Sequence, residues 1–229
     1  MVVIGEKPIK RKHMKRDLTQ SQLYEQRYRL KERRSTMHFF MWMIVFILVI
    51  FAVRWYWTST FGGVVIDGSS MYPTLQHRQK LLMKYSNDGK DAKRGDIIVV
   101  YVGGYTECKT VSSGFLIKRL IAVEGDTVKC EDGQLYIMYE GADNYVELEE
   151  PYAYYRSDQS KMEYDFAPYV VGEGEIFFLG DNRNNSMDSR YEQPKGSHLT
   201  DRLYKREDIY GIVPDWAMEY QSILEKIFF

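Results

Sequence analysis

One stretch of this 229-residue chain stands apart by hydrophobicity: residues 37–53, MHFFMWMIVFILVIFAV, seventeen positions without a formal charge when His38 is neutral. Arg54, Trp55, Tyr56 and Trp57 follow at once. The run is apolar on every helical face, which excludes an amphipathic surface helix, and a soluble core helix would also have to hide the basic residues before it. A bilayer core of about 30 Å takes roughly 20 helical residues, so the run predicts a transmembrane anchor at the short end of the range. Arg54 snorkels and the aromatic triplet completes the span as residues 37–57. A cleaved signal peptide would need a short basic region and a small-x-small site, where Trp-Tyr-Trp stands instead.

Beyond Val64 the pattern changes to short β-branched and aromatic runs: VVI, KLLMKY, GDIIVVYV, FLIKRLIAV, DTVKC, QLYIMY and GEIFFLG. Gly-Asp pairs at 95–96, 125–126 and 180–181 punctuate them as turns would, and no 3.6-residue stripe persists between 60 and 200. The expected class is all-β. The end, DWAMEYQSILEKIFF, returns to helical spacing and predicts a short amphipathic tail over residues 216–229. Residues 131–170 hold ten Asp/Glu against two Lys/Arg, with eight tyrosines, and read as an insertion subdomain or an acidic flap.

Charge adds an orientation. Net charge is -1, yet residues 1–36 carry eleven Lys/Arg against four Asp/Glu and the remainder twenty against twenty-eight. By the positive-inside rule the basic tail 1–36 faces the cytoplasm and residues from about 58 onward lie outside, at the plasma membrane. Anionic lipid accounts for the basic cluster, so no nucleic-acid partner is expected. Cys108 and Cys130 exclude a disulfide scaffold and offer no zinc site; whether they pair is open. Residues 181–192 have the length of a calcium loop, but Arg183 occupies a ligand position and the sixth position lacks Gly. No metal or cofactor is expected.

Three segments stand out for chemistry: DGSSMYPTL at 67–75, FLIKRLIAVEGD at 115–126 and FFLGDNRNNSMDSR at 177–190. In DGSSMYPTL, Gly68 permits unusual dihedrals and Pro73 fixes φ, placing Ser70 on a sharp turn. In FLIKRLIAV, one of Lys118 and Arg119 must face inward if the strand alternates. A buried lysine loses basicity, which is the route from ammonium to usable base. A histidine base is the usual alternative, but His13 and His38 fall on the wrong side, only His77 and His198 remain, and the Gly-x-Ser-x-Gly elbow is absent. The Ser-Lys variant fits better.

Together, DGSSMYPTL, RGDIIVVYV, LIKRLIAVEGD and LGDNRNNSMDSR resemble in order and spacing the consecutive boxes of the bacterial type I signal peptidases. The resemblance covers roughly residues 60–190 and the preceding anchor. It implies that Ser70 is the acylating nucleophile, Lys118 its general base and Ser186 the hydroxyl orienting the lysine. Asp188 with Arg190, and Asp181 with Arg119, would support the site. Met71, Leu75 and Ile117 would line shallow pockets for small substrate residues. Gly68 stands where some members place a second oxyanion-hole serine, as in the Gram-positive branch, so the oxyanion would rest on the backbone of Ser70 and Gly68. The segment YEQPKGSHLTDRLYKREDI, inserted before Gly211, has no functional explanation.

The fold implied by the resemblance is the all-β peptidase core in two parts, 58–126 and 176–215, around an inserted cap, 127–175, preceded by one transmembrane helix. The activity implied is removal of signal peptides from exported preproteins at the membrane, with preproteins and membrane lipid as partners. Two rival readings exist. A catalytically silent or dedicated-substrate relative binding exported or pilus-type proteins would not need Ser70, Lys118 and Ser186 together. A self-cleaving repressor would carry a DNA-reading helix-turn-helix instead of residues 37–53.

Overall fold

The computed structural model describes residues 19–103, 114–155, 161–162, 165–190 and 204–228. Cys108 and His198 lie outside them. The chain divides into two units, Met1–Trp55 and Tyr56–Phe229.

The described part of the first unit is almost wholly α1 (Gln20–Thr60), whose last five residues belong to the second unit; the helix has no buried residue and is long and apolar enough to cross a membrane. It begins seventeen residues before the apolar run. Residues 20–36 contain no Gly or Pro and are rich in Gln, Glu, Leu, Lys and Arg, all good helix formers, so nothing stops the helix short of Thr19. There the Gln22 side chain accepts the Thr19 N–H (3.1 Å), half of a capping box.

Among its described residues the second unit is mostly β. The main sheet has six antiparallel strands in the order β1 (Phe61–Val65), β2 (Lys80–Tyr85), β10 (Ile209–Val213), β3 (Ile97–Tyr101), β4 (Phe115–Val123), β9 (Ile176–Leu179). A second antiparallel sheet runs β7 (Val146–Glu147), β6 (Gln134–Met138), β5 (Thr127–Glu131), β8 (Phe166–Val170). It is built entirely from the acidic, tyrosine-rich stretch between β4 and β9.

Strand β9 shows why these residues read as continuous apolar runs. All four are buried: Ile176 and Phe178 join one core cluster with Ile98, Val100 and Leu120, while Phe177 and Leu179 join another with Val128, Leu135 and Ile137 of the second sheet. A strand covered on both faces has no polar side to show. The Gly-Asp turn at 125–126 links the two sheets. Gly125 adopts φ +84°, and the fully buried Asp126 carboxylate accepts Arg94 Nε and Nη2 at 2.6 and 2.7 Å and the Glu140 N–H at 3.1 Å.

The tail forms two short helices, α2 (Asp215–Glu219) and α3 (Gln221–Phe228), broken at Tyr220, rather than one.

Candidate active site

Ser70 lies in the turn that leaves β1, held by the core on one side and by the loop after β9 on the other. Met71 and Leu75 are 1% and 0% exposed and pack with Ile66, Leu81 and Ile97, with Ile117 half-buried against them. From the other side the Asn182 N–H donates to the Ser70 carbonyl (3.0 Å), Asn182 Nδ2 to the Ser69 carbonyl (3.0 Å), and Asn185 Nδ2 to Ser69 Oγ (3.0 Å). Gly68 has φ +97°, a conformation L side chains avoid, although a Cβ there would meet nothing.

Lys118 comes from the middle of β4, opposite Ile98. Its Nζ stands 2.7 Å from Ser70 Oγ and donates to the Ile117 carbonyl at 2.9 Å. The residue is 2% exposed, and burial drives its pKa down to about 8, against the opposing pull of the Asp188 and Asp181 carboxylates. Arg119 is also largely enclosed, its side chain 11% exposed, so the strand takes in both cations rather than one.

Each buried charge around the lysine is paired. Asp181 accepts Arg119 Nε and Nη2 (2.8 and 2.7 Å) and the Thr74 hydroxyl (2.6 Å), while Arg119 Nη1 reaches the Gly95 carbonyl (2.7 Å). Asp188 accepts Arg190 Nε and Nη2, both at 2.8 Å, and the Gly180 N–H (3.0 Å). Burial pushes the Asp188 carboxyl up, but the Arg190 charge and these hydrogen bonds outweigh it and hold the group below the usual carboxylate range.

Ser186 Oγ is buried and lacks a hydrogen bond of ordinary geometry; it stands close enough to Asp188 to help keep that carboxyl ionised. Lys118 spends its two hydrogen bonds on Ser70 and Ile117. His77 is turned elsewhere: its Nδ1 accepts the Gly68 N–H (3.1 Å) and lies 3.5 Å from Asp67 Oδ1, with the side chain 53% exposed. This engages one of the two backbone donors expected for an oxyanion. The Ser70 N–H makes no hydrogen bond among the described residues.

Several residues of this site have no role in the sequence reading. A Cβ on Gly180 would overlap Ser186 Oγ and come within 2.5 Å of the Ser70 carbonyl, so a side chain there excludes the observed packing. Arg183, which the sequence marks only as an obstacle to calcium, has a side chain with no exposure and is bidentate on Glu150, which comes from the stretch between β4 and β9. Arg183 Nε donates to the Gly180 carbonyl (3.1 Å), its N–H to Tyr154 O (3.0 Å), and Tyr154 N–H to Asp181 O (2.7 Å). The Tyr152 ring lies under the Arg119 guanidinium, 3.8 Å from its centroid. Position within LGDNRNNSMDSR could have flagged Arg183; nothing in the sequence marks Glu150. Cys130 is buried with a free thiol 3.7 Å from Asp165 Oδ1, and burial pushes its pKa up to about 12.

Such a site can do serine chemistry if the lysine surrenders its proton, and comparison with known proteins points the same way. The profile of the family described as "Signal peptidase, peptidase S26" matches residues 36–213. Signal peptidase I S of Bacillus subtilis (strain 168) is 35% identical over 140 residues, 57% of this chain and 66% of that protein. Signal peptidase I P of Bacillus subtilis subsp. natto is 31% identical over 186 residues, 80% of this chain and 90% of that one. Among solved structures, a signal peptidase I from Enterococcus faecalis V583 is 28% identical, with a TM-score of 0.40, covering 55% of this chain and 98% of that one. The chain thus spans about two thirds of the length of the first relative and nine tenths of the second. The family match runs unbroken from the apolar helix to the last strand of the main sheet and takes in both the buried lysine and the serine it touches, and on that match the chain belongs to the signal peptidase family, peptidase S26.

Proposed function

We propose that this serine peptidase removes signal peptides from exported preproteins with Ser70 as nucleophile and Lys118 as general base. The observation that carries the reading is the buried Lys118 Nζ at 2.7 Å from Ser70 Oγ, with its pKa brought down to about 8. In the neutral state Nζ accepts the Ser70 proton while Oγ adds to the scissile carbonyl carbon. The Ser70 N–H donates to the resulting oxyanion. Collapse breaks the C–N bond, the new amine takes the proton from the Lys118 ammonium, and an ester remains on Ser70. Water, deprotonated by Lys118, then hydrolyses that ester and restores Oγ–H.

Ser186 backs the lysine, while the Asp181–Arg119 pair holds the loop that carries Ser186 against β4 and the Asp188–Arg190 pair braces that loop from within. Met71 and Leu75 floor the site and Ile117 edges it, so pockets there admit only small side chains. Residues 37–57 cross the plasma membrane with the basic tail inside and the catalytic unit outside, where a preprotein's cleavage site emerges from the bilayer. Tethering enzyme and substrate to one surface raises their effective concentration.

The test is cleavage of a preprotein bearing an Ala-x-Ala site, in lipid, by the full chain and by Ser70→Ala and Lys118→Ala, with product termini read by mass spectrometry. Cleavage after the small residue, absent in both variants, is the expected result. A folded full chain that cuts no preprotein, or variants that cut as well as it does, would overturn the reading.

A further inference from the structure

The turn that carries Ser70 is held at both ends. At its start the Ile66 side chain is buried in a core cluster, the Ile66 N–H donates to the Gln79 carbonyl (2.9 Å) and the Arg78 N–H donates to the Ile66 carbonyl (2.8 Å). At its end the Ser69 and Ser70 carbonyls are tied to Asn182, and the Ser69 carbonyl also accepts the Tyr72 N–H (3.1 Å). Between these ends lie Asp67 and Gly68, both exposed, and neither makes a backbone–backbone hydrogen bond among the described residues. Packing does not hold them either: the Asp67 side chain is 86% exposed, and a Cβ on Gly68 would meet nothing. Glycine has more backbone freedom to lose than any other residue, so this is where the turn needs a restraint.

One bond crosses the gap. His77 belongs to the segment 76–79 that pairs with Ile66 and is closed on itself by the Gln79 N–H on the Gln76 carbonyl (3.1 Å). From there its Nδ1 accepts the Gly68 N–H at 3.1 Å. An accepting Nδ1 carries no proton, so the ring is neutral with its N–H on Nε2. Asp67 Oδ1 stands 3.5 Å from the same nitrogen, but an unprotonated nitrogen has nothing to donate to a carboxylate. The hold on the turn is therefore the bond to Gly68 and not an ion pair. A trans peptide points its C=O opposite its N–H, so directing the Gly68 N–H at His77 also turns the Asp67 carbonyl to the other side. The imidazole thus selects one rotation of the Asp67–Gly68 peptide, two residues before Ser70.

We propose that His77 is a positioning residue for the cleavage reaction: by accepting the Gly68 N–H it holds the Asp67–Gly68 peptide in the orientation from which Ser70 meets Lys118. The proposal rests on reading Ser70 as the nucleophile. His77 takes no proton from Ser70 and acts only through Gly68. Its effect falls on kcat, because a nucleophile on a looser turn spends less time aligned. The core cluster that contains Met71 and Leu75 and packs against Ile117 includes none of Asp67, Gly68 and His77, so the pockets, and with them KM, stay as they are.

The test measures kcat and KM for preprotein cleavage in lipid, and amide hydrogen exchange over residues 66–71, in the full chain and in His77→Asn, His77→Gln, His77→Phe and Asp67→Asn. Asn places its Oδ1 at the δ position that Nδ1 holds, Gln moves the acceptor one bond farther out, and Phe keeps a ring without an acceptor. Expected in His77→Phe and His77→Gln is a kcat lower by about 10-fold, the order of one lost hydrogen bond, with KM within about twofold and faster exchange in the segment. His77→Asn and Asp67→Asn should match the parent in all three readouts. A parent kcat in His77→Phe overturns the proposal, and so does a raised one, which would mean that the imidazole withholds the Gly68 N–H from the oxyanion. His77→Asn as slow as His77→Phe overturns it too, as does Asp67→Asn as slow as His77→Phe, which would make the ion pair the restraint. Ser70→Ala cutting at the parent rate would instead refute the nucleophile reading, and the exchange data, which need no cleavage, would still show whether His77 holds Gly68.

Discussion

At Lys118, the proposed role as base opposes stability. The ammonium ion is taken from water into a site where 2% of the residue is exposed, and the folded-state pKa of about 8 lies below the unfolded value of 10.5. Below about pH 8 both states are protonated and the full cost, on the order of 3 kcal/mol, falls on the folded state. Between pH 8 and 10.5 the unfolded chain holds more protons than the folded one, so stability rises with pH through that window. Lys118→Met removes the charge and keeps the volume. The variant is expected to be inactive yet more stable than the parent by about 1–3 kcal/mol at pH 7, after loss of two hydrogen bonds, with the difference fading above pH 10. Denaturant unfolding at pH 7 and 10 checks both sign and trend. Gly68→Ala is a contrasting case: the space is open and only φ +97° is strained, so a loss of about 1–2 kcal/mol with activity retained is expected from the same measurement and a cleavage assay.

Among the elements, the loop after β9 does most of the positioning, and it depends on two contacts of different kinds. At Gly180 the requirement is steric. Gly180→Ala must displace either Ser186 or the Ser70 carbonyl, so cleavage should fall at least about 100-fold, the usual consequence of misplacing a reacting group by an ångström. A Gly180→Ala enzyme cutting preprotein at the parent rate would contradict this packing. At Arg183 the requirement is electrostatic. Glu150→Gln leaves a buried guanidinium without its counter-charge and should destabilise the fold by about 3–5 kcal/mol, whereas Glu150→Leu with Arg183→Met should recover most of that loss. Thermal unfolding of the three variants is the check.

These elements also show how far sequence reasoning reaches. Strands β3, β4 and β9 were legible because burial leaves long apolar runs, whereas β10, between β2 and β3 in the main sheet, was not, since its exposed Tyr210 and its Gly211 interrupt the run; Ser70 and Lys118 stood out through a constrained turn and a cation among hydrophobic residues. The start of α1 was not, since hydropathy reports the part of a helix that lipid would cover and not the polar turns that propensity adds before it. Glu150 was invisible for a different reason: its partner is thirty-three residues away across a sheet junction, and an isolated carboxylate in an acidic stretch looks like solvated surface. The break at Tyr220 was missed because apolar spacing continues through it.

For the whole molecule, the three core clusters draw all their buried residues from the second unit, and α1 buries none. Residues 56–229 should therefore fold without the anchor. Such a fragment is expected to cut a short soluble peptide at the parent rate but a bilayer-embedded preprotein about 10²–10⁴-fold more slowly, because tethering no longer concentrates it on the substrate. Equal rates on both substrates would remove any role for anchoring. Orientation is checked separately: Ser35→Cys, at the end of the basic flank, should resist a membrane-impermeant maleimide added outside intact cells and react once they are opened.

The most direct test of Lys118 acting as the base for Ser70 is the pH dependence of kcat/KM for preprotein cleavage by the full chain, alongside His77→Asn and His198→Asn. A single rise with an apparent pKa near 8, unchanged in both histidine variants, is the predicted result. A rise centred near 6.5 that disappears with either histidine would contradict it, and would make histidine the base.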